Sequence, residues 1–112
     1  MTRPLHYILR DRKPVAAELM QWTTWFESSL AKRHVAEDTI RVRGANGRPV
    51  EVSVSTVFLG LDHNLSGEGP PVLFETMIFG GRHDGYCAHC STWEEAEAQH
   101  VIAMEEVGRP LK

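Results

Sequence analysis

Cysteine is scarce: only Cys87 and Cys90 occur. Two thiols cannot staple a secreted disulfide scaffold, so a reducing cytoplasm is the expected compartment. No apolar run approaches the roughly 18–20 residues that a membrane span requires. The opening Met1-Thr2-Arg3-Pro4-Leu5-His6 leads straight into mixed polar sequence, so no leader segment is expected either. The net charge is only -3, which argues against a general nucleic-acid binder. G-x-S-x-G, the P-loop, the dinucleotide fingerprint, HExxH and the EF-hand loop are all missing, which makes a conventional enzyme the minority reading. Repeats and low-complexity tracts are absent too. What is present is ordinary globular material: 112 residues, 42% hydrophobic and 24% charged. A chain this short is expected to form one domain over 1–112.

The charge is unevenly spread. Residues 1–43 carry eight Lys/Arg against five Asp/Glu, a balance of +3, and residues 44–112 carry four against ten, a balance of -6. Such asymmetry can steer a charged partner, although two solvated faces are the ordinary account of it.

Local patterns divide the chain into elements. Leu5 to Arg10 predicts a short strand at about 6–10, closed by the turn-like Asp11-Arg12-Lys13-Pro14. Pro14 suits the first turn of a helix, and Val15, Leu19, Trp22 and Phe26 then fall at helical spacing. Val35, Ile40 and Val42 predict a strand at 34–43. Asn46-Gly47 in a glycine-flanked loop predicts a hairpin turn, because both residues tolerate positive φ. The return strand alternates Val50, Val52 and Val54 with Glu51, Ser53 and Ser55, the period of a half-buried strand. Residues 62–71 form a Gly/Pro/Ser-rich loop, Val72–Phe79 the next strand, and 80–90 a second long loop. Ser91-Thr92-Trp93-Glu94-Glu95 offers two overlapping capping boxes for a final helix, whose inner face is expected to carry Trp93, Ala96, His100, Val101, Met104 and Val107. Gly108-Arg109-Pro110 should stop it. The expected fold is therefore α+β in the order β-α-β-β-β-α, a small sandwich with a mainly antiparallel three- to four-stranded sheet and both helices packed on it. Trp22, Phe26, Val54, Phe58, Phe74, Ile78, Trp93 and Met104 are the expected core.

Two segments could carry chemistry. Asp62, His63, Asn64 and Glu68 gather acid, imidazole and amide in one loop and form the expected binding surface, since recognition residues usually sit on loops held by a rigid frame. The same residue types also build turns by bonding their own backbone. In the second segment, Cys87 and Cys90 have the two-residue gap of a zinc knuckle, His83 or His89 could supply a third ligand, and His63 from the first loop a fourth. A matching second knuckle is missing, so zinc enters only as an alternative and no cofactor is otherwise implied. Cys90 before a helix N-terminus also admits a redox reading. Glu75, alone in an apolar strand, is expected to pair with Arg41 or Arg43 on a neighbouring strand.

The runs Val54-Ser55-Thr56-Val57-Phe58-Leu59-Gly60-Leu61-Asp62-His63-Asn64 and Gly69-Pro70-Pro71-Val72-Leu73-Phe74-Glu75-Thr76-Met77-Ile78-Phe79-Gly80-Gly81, followed by Ser91-Thr92-Trp93-Glu94-Glu95-Ala96, resemble a family of small uncharacterised proteins of tailed phages and prophages. Pro14-Val15 and Trp22 through Phe26 continue the likeness. The resemblance implies a phage-encoded protein acting in the cytoplasm of a bacterial host, and it brings no catalytic residues with it. The function expected is non-enzymatic binding of a host or phage macromolecule, with a protein as the partner and inhibition of host defence as one form. A metal-dependent or zinc-binding protein using the 62–68 and 83–90 loops is the alternative, and a phage structural or assembly component the third. Nucleic acid is not expected as a direct ligand, nor is a membrane. The oligomeric state is left open.

Overall fold

Backbone pairing sorts the strands into two antiparallel sheets. A computed structural model describes residues 3–108. β1 (Tyr7–Arg10) and β2 (Lys13–Ala16) form a two-stranded hairpin. β3 (His34–Arg43), β4 (Pro49–Phe58), β5 (Phe74–Phe79) and β6 (Cys87–Cys90) form a four-stranded meander in that order. α1 (Leu19–Ser28) follows β2, and α2 (Trp93–Val107) closes the chain. The protein is α+β, as the sequence implies. Among the described residues no helix is long and apolar enough to cross a membrane.

The element order is richer than the β-α-β-β-β-α expected. Pro14 and Val15 do not open a helix; they lie in β2, opposite Leu9 and Ile8. Asp11 and Arg12 turn the hairpin with φ of 49° and 67°, the left-handed pair that a two-residue connection between twisted strands needs. Neither residue is glycine or asparagine, so the turn expected at 11–14 carries no hairpin signature in the sequence. The Arg12 guanidinium instead sits 5.1 Å over the Trp93 ring, tying this turn to the start of α2. The second departure is β6, which falls inside the stretch expected to be loop.

The strands of β4 and β5 divide cleanly by face. Val52, Val54, Thr56 and Phe58 stand beside Thr76, Ile78 and Phe74, and all are buried. α2 covers them with Trp93, Ala96, His100, Ala103 and Val107. Its N-terminus uses the second of the two capping boxes: Thr92 accepts from the Glu95 N–H, and the Glu95 carboxylate accepts from the Thr92 N–H. Val101 is 55% exposed and Ala103 takes the inner position instead, because the buried face follows 93, 96, 100, 103 and 107. Met104 packs half-buried at its margin.

α1 sits at the Phe58 end of the same side, with Trp25 edge-on to Phe58 at 5.8 Å. None of its residues is buried, so Trp22 and Phe26 are peripheral rather than core. They stack on each other at 4.7 Å and press on Gly60, where a Cβ would come within 2.7 Å of the Phe26 ring. Gly60 also holds φ at 77°, a conformation that glycine adopts without strain. The opposite face of the sheet carries Glu37, Thr39, Ser53, Ser55, Val57, Glu75, Met77, Cys87 and His89, and stays open.

Candidate functional site

Strand pairing decides which polar side chains meet. Glu75 of β5 lies directly opposite His89 of β6, and Met77 lies opposite Cys87. Side chains two apart on a strand share a face, so Cys87 and His89 both join Glu75 on the open face. The His89 Nε2 is 2.9 Å from Glu75 Oε2 and 3.7 Å from Cys87 Sγ. The three donor atoms all lie within 4.8 Å of one another. Backbone bonding fixes this geometry from below, and Gln99 of α2 secures β6 by donating to the His89 carbonyl at 2.8 Å.

Cys90 is not part of the group. An offset of three along a strand puts it on the other face, opposite Phe74 and against the Phe58–Trp93 cluster. Burial, reinforced by the nearby Glu95 carboxylate, pushes its thiol up to about 11. With Cys87 on the open face and Cys90 on the helix-covered one, the two thiols do not converge as a zinc knuckle or a redox pair requires. His83 is lost to the site as well. It lies in the turn at the far end of β5, with its Nε2 3.7 Å from Glu106. The expected pairing of Glu75 with Arg41 or Arg43 is also overturned: β4 lies between β5 and β3, and Arg41 faces Glu51 across the β3–β4 ladder. The Cys87 thiol is raised by burial first and then by the Glu75 carboxylate beside it.

The 62–71 loop turns out to be bonded mostly to itself. Asp62 is buried and accepts from Arg3 Nε at 2.9 Å, Asn64 N at 2.8 Å and Val72 N at 2.9 Å. Burial alone would raise its carboxyl, but the Asn64 and Val72 N–H groups and the Arg3 guanidinium together hold it below the usual carboxylate range. Asn64 donates to the Glu68 and Pro70 carbonyls and accepts from Ser66. Two of the four expected contact residues thus serve turn chemistry, leaving His63 and Glu68 exposed beside a 96% exposed Leu65. The second long segment returns along β5 as β6, and this brings the His89 ring to 6.5 Å from the His63 ring, stacked at 23°.

A second polar group runs from the surface at Asp38 into the buried interior. His100 Nδ1 is 2.8 Å from Thr56 Oγ1, its Nε2 is 2.8 Å from Asp38 Oδ2, and Thr56 Oγ1 is 2.8 Å from Thr76 Oγ1. The order acid–imidazole–hydroxyl matches a nucleophilic triad, but Thr56 and Thr76 have no exposed surface. A hydroxyl that no substrate can reach is a structural link between α2, β3, β4 and β5.

No family model matches the chain, and no curated protein or solved structure matches it.

Sequence reasoning singled out Glu75, Cys87 and His89 but not their convergence. The legible signal was the C-x-H spacing, which places both donors on one face once 87–90 is read as a strand.

Proposed function

We propose that this protein is a metal-binding domain, holding a divalent transition ion of the Zn²⁺ class on its open sheet face through Glu75, Cys87 and His89. The observation that carries the reading is the convergence of three different donors, a thiol, an imidazole and a carboxylate, within 4.8 Å. Metal–ligand bonds of about 2.0–2.3 Å give donor–donor edges of about 3.3–3.6 Å in a tetrahedron. The 3.7 Å Cys87–His89 separation already fits such an edge, and the 2.9 Å Glu75–His89 hydrogen bond would open by a few tenths of an ångström. Thiolate and imidazole together favour Zn²⁺ over the oxygen-seeking Mg²⁺ or Ca²⁺. Three protein ligands leave a fourth position for water or an added ligand.

Cobalt(II) titration tests this directly. One equivalent should produce tetrahedral visible bands with a thiolate-to-cobalt charge-transfer band, reversed by added Zn²⁺. Cys87→Ser and His89→Ala should lose the band while Cys90→Ser keeps it. Equal loss in Cys90→Ser, or no stoichiometric binding by the parent chain, would overturn the assignment.

A second reading, recognition of a macromolecule by the 62–71 loop, is supported by one observation. The loop is fixed by its own hydrogen bonds and yet presents Leu65 almost fully to solvent, and a pre-ordered loop loses little entropy on binding. Within either reading, a phage-encoded origin and the host cytoplasm rest on the resemblance of the 54–64, 69–81 and 91–96 runs.

A further inference from the structure

The four-stranded sheet ends in two unequal edges. β6 is four residues long, whereas β3 runs for ten and pairs only with β4 among the described residues. An unpaired edge of that length is a template for another strand, and proteins usually guard such edges with proline, bulges or shortening. β3 has no proline, and its one irregularity lies between His34 and Ala36, so Ala36–Arg43 is regular. Its charges are not scattered like a guard. Glu37 and Asp38 occupy the first half, Arg41 and Arg43 the second, and all four are exposed. A strand acidic at one end and basic at the other is complementary to an antiparallel copy of itself.

We propose that β3 pairs with β3 of a second copy of this chain about a two-fold axis normal to the sheet, giving a continuous eight-stranded antiparallel sheet. The register follows from two constraints. Side chains alternate, so only a dyad passing through a residue keeps the faces aligned. A dyad at Asp38 or Arg41 would set that charge against itself. At Thr39 it would set Glu37 against Arg41, which already faces Glu51 on β4. At Ile40 it sets Glu37 opposite Arg43 of the partner subunit, twice by symmetry, with Thr39 opposite Arg41 of the partner subunit and Ile40 against itself. Arg43 faces Pro49 on its own sheet and so has no acid across the existing ladder. Asp38 is engaged by His100 on the helix-covered face and meets only Val42 of the partner subunit. The dyad at Ile40 is the register the charges select. Ladder hydrogen bonds then supply the affinity and the ion pairs supply the register, since such pairs confer specificity more than strength. This surface is independent of the Glu75–Cys87–His89 group, which lies toward the other edge.

Sedimentation equilibrium over the micromolar range, at low salt, tests the proposal. The full chain should form a dimer. Glu37→Arg alone and Arg43→Glu alone should each weaken it roughly tenfold or more, by placing like charges opposite twice over. The double swap should restore it, while a Glu94→Arg control leaves it intact; circular dichroism checks that each variant is folded. A monomeric parent chain, unaffected single variants, or a double swap that fails to recover the dimer would each overturn it. Should the charge variants not fold, amide exchange on the parent chain decides. Protection at Thr39–Arg41 that rises with protein concentration supports the pairing, and protection independent of concentration refutes it.

Discussion

Replacing His100 by leucine measures what the polar link through its ring contributes. Asp38 is an acceptor only, so the His100 Nε2–H donates to it, and in the neutral imidazole Nδ1 then accepts from the Thr56 hydroxyl. Thr56 in turn accepts from Thr76. Leucine fills most of the ring's volume, so the cavity term is small, and the loss comes from two hydrogen bonds. The Asp38 side chain is 54% exposed and regains water, which puts its share at the low end, about 1 kcal/mol. Thr56 has no exposed surface and would be left with a hydroxyl proton that has no acceptor, costing about 1–3 kcal/mol. The expected destabilisation is about 2–4 kcal/mol, a large part of the roughly 5–15 kcal/mol that holds a domain of this size. Urea unfolding followed by circular dichroism should show a lower midpoint at an unchanged slope. Adding Thr56→Val removes the orphaned hydroxyl, so the double variant should be less destabilised than the sum of the singles by about 1–2 kcal/mol. A loss below about 0.5 kcal/mol, the range of ordinary surface changes, or strict additivity, would refute the network's structural role.

Asp62 should make stability depend on acid. Its folded-state carboxyl is held below the ordinary value, so its contribution is present above the unfolded value of about 3.9 and is lost as pH falls through the lower folded value. Asp62→Asn should therefore be less stable than the parent chain at neutral pH, and the gap should begin to shrink near the unfolded value of about 3.9 and narrow further as pH falls through the folded one; a gap that does not narrow with acid would contradict the assignment. For recognition by the 62–71 loop, Leu65→Asp should abolish capture of a macromolecular partner while Cys87→Ser leaves it unchanged, and the reverse pattern would remove the loop from consideration.

Elements whose signals are local were legible in the sequence. β3 spans the 34–43 expected, the alternation of Val50, Val52 and Val54 gives β4, and the 92–95 capping box starts α2. Each depends on residues within a few positions of one another, where side-chain periodicity and backbone bonding act without help from the rest of the chain. The turn at 11–14 was legible, but its return strand β2 escaped because Pro14 and Val15 also suit the start of a helix, and docking of Arg12 on Trp93 is a contact across more than eighty residues.

The site follows the same division. The sequence by itself determined the donors, the glutamate in an apolar strand and the C-x-H and C-x-x-C spacings, as well as the Asx chemistry of the 62–71 loop. Which donors meet was decided only by tertiary structure. Spacing of two and spacing of three mean the same in a loop but opposite faces in a strand, and it is pairing with β5 that makes 87–90 a strand. That pairing gives Glu75 the partner His89 in place of the arginines two strands away, and turns Cys90 against the edge of the core. His100 likewise reads as one more residue on a helix face until β3 and β4 bring Asp38 and Thr56 to its ring. Local periodicity sets the direction in which a side chain points; strand register across the sheet sets what it finds there.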